Sequence, residues 1–185
     1  RGAPTTTTDS GVPNGSPESV VVVGRPQLAA RTTRVKWVPL HEADCDPSPF
    51  AQFRRWFDEA ADVMRERDAV ALATADTEGR PSVRMVLLRH IGDATVGWFT
   101  NYESRKGPEL DGNSHAAVLW YCEALGRQVR IEGLVSRAAP AASDAYFASR
   151  PRGHQIGAHA SDQSRVISSR AALEARVAEM TNQFG

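Results

Sequence analysis

The chain has 185 residues, which suits one domain with a sizeable hydrophobic core. Its 22 basic and 22 acidic residues cancel, and no run of about 18 apolar residues occurs, so neither a nucleic-acid-binding protein nor a membrane protein is expected. The two cysteines, Cys45 and Cys122, lie far apart without metal-ligand spacing, which argues against a zinc site or a disulfide framework and fits a reducing cytoplasm.

The first third of the chain predicts a tail followed by a helix. Residues 1–33 are rich in Thr, Gly, Pro and Ser and predict a flexible tail, with an added strand at Val20–Val23 as the alternative. We expect the domain to occupy residues 34–185. Its first helix should begin at Ser48, a good N-cap, with Pro49 as the first helical residue. The apolar face of that helix comprises Phe50, Phe53, Phe57, Ala60 and Met64.

Strands and short helices follow along the rest of the chain. Turn residues at 77–80 and 92–93 join the first three predicted strands, which favours an antiparallel sheet. Five strands with helices mainly at the ends predict the α+β class, built as a small antiparallel barrel with flanking helices. The strands are expected at 69–76, 82–91, 95–100, 116–121 and 128–136, and the helices at about 104–111, 140–149, 150–158 with glycine interruptions, and 168–184.

Four cations stand on segments that otherwise look buried. Arg84 and Arg89 lie in the second strand, while Arg105 and Lys106 follow Ser104 at a strand-to-helix junction. A buried cation needs an anionic partner, and no acidic run lies nearby, so we predict that the partner is a ligand with a phosphate group. A helix start at Ser104 would suit such a phosphate, although a capped and solvated helix start is the plain alternative.

Strand alternation separates the two arginines of the second strand. Arg84 shares a face with Val86 and Leu88, whereas Arg89 shares the opposite face with Met85 and Leu87. Without a bulge the two arginines cannot point into one site. They would then serve different ligands or different subunits, or Arg89 would be an exposed strand-end residue.

Several polar residues further along the chain are weaker candidates. Tyr146 and Arg150 would share one helix face and could hold a phosphorylated ring, although helix-surface packing explains them as well. Without other information, Gln128 at the start of a strand would be interpreted as a surface residue. Gln163 and Ser164 would likewise be interpreted as part of a polar loop. His154 and His159 lack a supporting carboxylate or cysteine pattern, so no metal site is expected.

Five motifs occur in order from the second strand to the loop before the last helix. They are R-M-V-L-L-R (84–89), F-T-N-Y-E-S-R-K (99–106), R-Q-V-R-I-E-G (127–133), Y-F-A-S-R-P-R (146–152) and Q-I-G-A-H-A-S-D-Q-S (155–164). Together they resemble the pyridoxamine 5'-phosphate oxidases, FMN enzymes of vitamin B6 metabolism. The resemblance runs from about Asp46 to the end of the chain.

The resemblance implies a split-barrel flavin fold and a homodimer with FMN between the subunits. It implies that Arg84, Ser104, Arg105 and Lys106 hold the FMN phosphate and ribityl chain. The implied flavin contacts are Arg84, Met85, Val86, Leu87, Leu88, Arg89, Phe99, Thr100, Ser104, Arg105, Lys106, Gln128, Gln163 and Ser164. The implied substrate contacts are Arg89, Tyr146, Arg150 and His154. No residue is assigned to catalysis, with Arg89 the one candidate.

The chain departs from the family pattern at two site positions and at its end. Arg89 stands where lysine is common, and His154 stands where a serine usually contacts the substrate phosphate. Family members continue past the last helix into further strands with a Trp-Gly-Gly segment and an Arg-x-His pair, whereas this chain stops at Gly185. We expect the sequence to be a fragment, truncated at its C-terminus.

The implied activity is FMN-dependent oxidation of pyridoxamine or pyridoxine 5'-phosphate by O2 to pyridoxal 5'-phosphate, with release of H2O2. Two alternatives remain at this stage. One is a related flavin oxidase that acts on another ring, such as a phenazine precursor. The other is a split-barrel protein that binds FMN or pyridoxal phosphate without turnover.

Overall fold

The structure is a computed structural model, and it describes residues 39–184. The tail predicted over residues 1–33 and the alternative strand at Val20–Val23 lie outside the described residues. Within them, no helix is both long enough and apolar enough to cross a membrane. The elements are α1 (Pro49–Glu59), β1 (Ala69–Ala75), β2 (Pro81–Ile91), β3 (Val96–Trp98), α2 (Lys106–Gly112), β4 (His115–Cys122), β5 (Arg127–Leu134), α3 (Pro140–Ser149), α4 (Arg152–Ala160) and α5 (Arg170–Phe184).

The five strands form one antiparallel sheet in the order β3-β2-β1-β4-β5. The β1–β2 turn forms where it was predicted, because the Asp76 carboxylate accepts backbone N–H groups from Glu78 and Arg80, and Gly79 takes a positive φ of 77°. The sheet curls into a half-barrel, which confirms the predicted α+β class.

Helix α1 closes one side of the sheet and supplies much of the core. It begins as predicted, since the Ser48 hydroxyl accepts the Ala51 N–H at 3.3 Å and Pro49 is the first helical residue. Phe53 meets Trp120 of β4 edge to face, with ring centroids 5.5 Å apart. The indole N–H of Trp120 donates to the Arg67 carbonyl at 2.8 Å, so the buried ring leaves no unpaired donor.

Burial along β2 follows the predicted alternation. Val86 and Leu88 are buried, and Arg84 points to the same inner side, while Met85 and Leu87 are exposed. The β2–β3 register shifts between Leu88 and His90 at a bulge or irregularity, so Arg89 sits where regular pairing is interrupted.

The opposite side of the sheet carries large apolar side chains that nothing in the described chain covers. Met85 and Leu119 flank Ala71 in register, which makes this side continuous across three strands. We call it the outer face. Its large members are Val83, Met85, Leu87, Leu119 and Tyr121, which are between 38% and 70% exposed.

Three predicted elements differ from the structure, and a side-chain contact explains the first difference. Helix α2 begins at Lys106 rather than Ser104, because the Ser104 hydroxyl donates to the Asn101 carbonyl instead of capping the helix. Helix α4 runs without a break through Gly153 and Gly157 to Ala160. The third strand is shorter than predicted, covering only Val96–Trp98.

Candidate functional site

A carboxylate on α2 joins two of the cations predicted to hold a phosphate. Glu109 is only 7% exposed, and its Oε2 lies 3.1 Å from Arg84 Nη2 while its Oε1 lies 2.9 Å from Arg105 Nε. The prediction that no acidic residue pairs with these arginines was therefore wrong. Arg105 and Glu109 are four residues apart on one helix, and the sheet brings Arg84 to them.

Two hydroxyl groups complete the environment of this carboxylate. Thr74 of β1 and Ser82 of β2 are register partners on the inner face, and both donate to Glu109 Oε2. Burial by itself raises the pKa of Glu109. The hydrogen bonds from Thr74, Ser82 and Arg105, together with the charge of Arg84, outweigh burial and lower that pKa to about 2. Glu109 is thus ionised at any physiological pH.

Lys106 is the cation that these contacts leave without an anion. It is 5% exposed, and its Nζ donates to Ser104 Oγ at 2.7 Å and to Gln163 Oε1 at 3.0 Å. Among residues 39–184 no carboxylate oxygen lies within 4.0 Å of this nitrogen. Burial and the charge of Arg84 lower the pKa of Lys106, and Glu109 only partly opposes them. A buried ammonium with neutral partners is a favourable place for an anionic ligand.

The α4–α5 loop reaches this site through Gln163. The next residue, Ser164, has a φ of 69° and is the one described non-glycine residue with positive φ. Such a backbone is uncommon for serine and persists only where its surroundings hold it. The contact between Lys106 and Gln163 joins residues 57 positions apart, both of which the family resemblance assigns to the flavin site.

A second group of predicted residues meets beside α3. The rings of Phe99 and Tyr146 stack with centroids 3.9 Å apart, and the Arg89 guanidinium lies 6.0 Å from the Tyr146 ring centroid. Arg89 also pairs with Asp68 at 2.6 Å, so the prediction that it lacks an acidic partner was wrong as well. We call Arg89, Phe99 and Tyr146 the aromatic site.

Other predicted residues are not brought into either group by the described contacts. The Arg150 guanidinium lies over the Phe147 ring at 5.9 Å, and His154 is exposed in the first turn of α4. Gln128 is exposed on β5, opposite Tyr121 of the outer face and three strands from β2. Val86 and Leu88 have their side chains in the core, Met85 and Leu87 lie on the outer face, and Thr100 follows β3 in a loop.

Sequence reasoning missed the residues that hold the cations in place. They are Thr74, Ser82 and Glu109 around Arg84, and Asp68 beside Arg89. Two signals were available. Arg105 and Glu109 have the i, i+4 spacing of a helix ion pair, and Ser82 shares the strand face of Arg84. Asp68 carries no such local signal.

A family profile and named relatives match this chain. The pyridoxamine 5'-phosphate oxidase family profile matches residues 57–184. The chain is 56% identical to the pyridoxine/pyridoxamine 5'-phosphate oxidase of Paraburkholderia phymatum over 144 residues, covering 77% of this chain and 68% of that protein. It is 51% identical to enzyme 1 of that name from Ralstonia nicotianae, with the same coverage.

Solved structures agree in fold. PhzG from Burkholderia lata, solved with tetrahydrophenazine-1-carboxylic acid, superposes with a TM-score of 0.73 at 34% identity, covering 79% of this chain and 73% of that one. A pyridoxamine 5'-phosphate oxidase-related, FMN-binding protein from Nostoc punctiforme superposes at 0.58 and 18% identity, covering 70% and 72%, which bears on the fold alone. From its family profile and its relatives, this chain belongs to the pyridoxamine 5'-phosphate oxidase family.

Proposed function

We propose that the protein oxidises pyridoxamine 5'-phosphate or pyridoxine 5'-phosphate with O2, using FMN, and releases pyridoxal 5'-phosphate and H2O2. The observation that carries the proposal is the buried Lys106 ammonium, whose partners are neutral oxygens, in a chain of this family. We place the reaction in the cytoplasm, where Cys45 and Cys122, both free, would stay reduced.

The residues around Lys106 fit the phosphate of FMN. Lys106 supplies a desolvated charge, Arg84 adds a second one nearby, and Arg105 contributes from the adjoining turn. Ser104 and Gln163 fix the direction of the ammonium group. When bound, FMN would supply the redox chemistry by accepting two electrons from the substrate and passing them to O2. The protein's own contribution is to bind, orient and partly desolvate the reactants.

The aromatic site fits the substrate. Arg89 and Tyr146 would bind the B6 phosphate and orient its ring. The family resemblance adds Arg150 and His154, which the described contacts do not bring to the aromatic site. In the amine reaction the CH2–NH3+ group loses two electrons together with one hydrogen from carbon and one from nitrogen, and O2 gains them as H2O2. Water then supplies the aldehyde oxygen, and the nitrogen leaves as ammonium. In the alcohol reaction the CH2–OH carbon becomes the aldehyde directly, with the same electron balance.

The outer face supports the further proposal of a homodimer. Five large apolar residues on one continuous sheet surface exceed the scattered exposure usual for a monomer. Gln128 lies beside that surface, three strands from β2. A second copy packed on the outer face would cover the apolar side chains and could bring its own Gln128 to a flavin held by the first copy. FMN would then lie between subunits.

Peroxide production tests the proposed reaction directly. Protein reconstituted with FMN should release one H2O2 for each pyridoxal 5'-phosphate formed from pyridoxamine 5'-phosphate. Lys106→Met should lose this activity through weaker FMN binding, and saturating FMN should restore part of it. A matched control is Arg170→Met, which removes an exposed cation of α5 outside both groups of residues and should behave as the wild type. A yellow, FMN-loaded protein without peroxide production on either B6 phosphate would contradict the proposed reaction.

One observation favours a second candidate. PhzG, with a TM-score of 0.73, was solved with a phenazine precursor, and Arg89 and His154 both depart from the usual B6 pattern. The chain could thus be a flavin oxidase for a tricyclic carboxylic acid. Oxygen uptake with tetrahydrophenazine-1-carboxylic acid but not with pyridoxamine 5'-phosphate would favour this reading. The higher identity to named B6 oxidases, 56% against 34%, makes the B6 reaction the first candidate.

A further inference from the structure

The proposed FMN site contains a carboxylate that the proposed function does not use. An acidic side chain close to a phosphate would ordinarily repel it, so the burial of Glu109 there needs a physical reason. Four side chains donate to this carboxylate: Thr74, Ser82, Arg84 and Arg105. A buried carboxylate whose oxygens accept this many hydrogen bonds is an organised part of the site.

Glu109 determines how Arg84 presents its donors. Arg84 Nη1 donates to the Leu72 carbonyl and to Thr74, and its Nη2 donates to Ser82 and Glu109. Each hydroxyl in turn donates to the carboxylate, so arginine, hydroxyls and Glu109 form a closed network. The Nε of Arg84 has no hydrogen bond to any residue that the structure describes, and we propose that it serves the ligand.

Glu109 restricts the side chain of Arg105 more than it restricts that of Arg84. The Arg105 side chain is 65% exposed, and its described hydrogen bond is the one from Nε to Glu109 Oε1. Without that anchor an exposed arginine would sample many rotamers, and ordering it on binding would cost entropy. With it, both Nη atoms, which have no hydrogen bond among residues 39–184, can donate to a pair of phosphate oxygens.

The carboxylate also adjusts the charge of the site. Arg84, Arg105 and Lys106 carry three positive charges, and Glu109 reduces their sum to a net charge of +2. A phosphate monoester carries a charge of about −1.5 to −2 at neutral pH. The site and this ligand are therefore close to neutral together, which limits the cost of burying them.

We propose that Glu109 is a positioning residue for the FMN phosphate: it anchors Arg84 and Arg105 through its two oxygens and sets the charge of the site to match a dianion. The inference rests on the proposed binding of FMN. The opposite role would be a placeholder that occupies the arginines until phosphate displaces it. The two roles predict opposite signs, because removing a placeholder strengthens binding and removing an anchor weakens it.

Dissociation constants for FMN and riboflavin, measured by flavin fluorescence, test this proposal. Glu109→Gln should weaken FMN binding about tenfold, despite the added positive charge, and change riboflavin binding by less than about twofold. Glu109→Asp keeps the charge but is one methylene shorter, so it should also weaken FMN binding. The control is Glu174→Gln, which breaks another i, i+4 arginine–glutamate pair (2.7 Å) and should change neither constant.

Three results would overturn the proposal. Unchanged or tighter FMN binding by Glu109→Gln would refute the anchoring role. An equal loss for FMN and riboflavin would indicate a general structural role that is not specific to phosphate. If Glu109→Asp binds FMN with wild-type affinity, the position of the carboxylate does not matter and charge balance alone explains the effect, so the anchoring role is refuted. If the wild-type protein itself binds no FMN, the proposed function fails, which is distinguishable from failure of this inference alone.

Discussion

At the scale of single residues, the site depends on which cations are already neutralised. Arg84 and Arg105 share Glu109, and Arg89 has Asp68, whereas the Lys106 nitrogen donates to two neutral oxygens and has no carboxylate partner within residues 39–184. Sequence reasoning identified the four cations but assigned them all to ligands. The i, i+4 spacing could have revealed the pair of Arg105 with Glu109. The pairs of Arg84 with Glu109 and of Arg89 with Asp68 could not be predicted, because they join segments that are distant in the chain. The buried Lys106 ammonium is therefore the main observation that favours a bound anion.

The lowered pKa of Lys106 predicts a pH dependence for FMN binding. Below that lowered pKa the ammonium is charged and would bind the proposed phosphate. As pH rises through it toward the ordinary value of 10.5, the amine becomes neutral and the preference for FMN over riboflavin should fall. Lys106→Arg should keep the preference through the same range, because a guanidinium does not deprotonate there. A wild-type preference that stays constant up to pH 10.5 would contradict the account; fluorescence titrations across pH measure it.

The lowered pKa of Glu109 predicts a loss of stability in acid. Its folded-state pKa of about 2 lies below the ordinary 4.5, so the unfolded chain binds more protons in that window and stability falls as pH falls through it. Above pH 5 the ionised group should contribute on the order of 3 kcal/mol. Urea unfolding of wild type and Glu109→Gln should show a stability difference that shrinks between pH 5 and 2. A difference independent of pH would rule out this origin.

At the scale of elements, local patterns predicted most of the fold. The Ser48–Pro49 helix start, the 77–80 turn and the alternation along β2 are each set by neighbouring residues, and each appears in the structure. The start of α2 was misplaced because Ser104 had an alternative partner, the Asn101 carbonyl, that propensity does not reveal. The contact of Lys106 with Gln163 was not predicted, since it joins segments far apart in the chain; the family resemblance only implied that both residues contact the flavin.

The packing of the sheet against α1 gives a prediction at this scale. Leu72 of β1 is fully buried within the core, so Leu72→Ala should leave a cavity and lower the free energy of unfolding by about 2–5 kcal/mol. Leu40→Ala makes the same change at a residue that is 45% exposed, outside the helices and strands, and should cost much less. Chemical denaturation measures both. Equal costs for the two variants would contradict the placement of β1 in the core.

At the scale of the whole molecule, the outer face exposes five large apolar side chains that the described part of the chain does not cover. Sequence periodicity identified which side chains alternate, but it could not tell which side of the sheet a partner covers. Leu119→Arg places a charge at the centre of this face, where the side chain is 38% exposed. If a second copy covers the face, the variant should be monomeric by light scattering and should bind FMN more weakly. A variant that remains dimeric would place the interface elsewhere.

The central claim is that this chain holds the phosphate of FMN at Lys106. The most direct measurement is the ratio of riboflavin to FMN dissociation constants, in wild type and in Lys106→Met, by flavin fluorescence at neutral pH. We predict a ratio of about 100 or more in the wild type, since the phosphate of FMN would add charge-assisted hydrogen bonds. The Lys106→Met variant should lose most of this preference for FMN. Equal affinity for the two flavins in the wild type, or a preference that survives loss of Lys106, would contradict it.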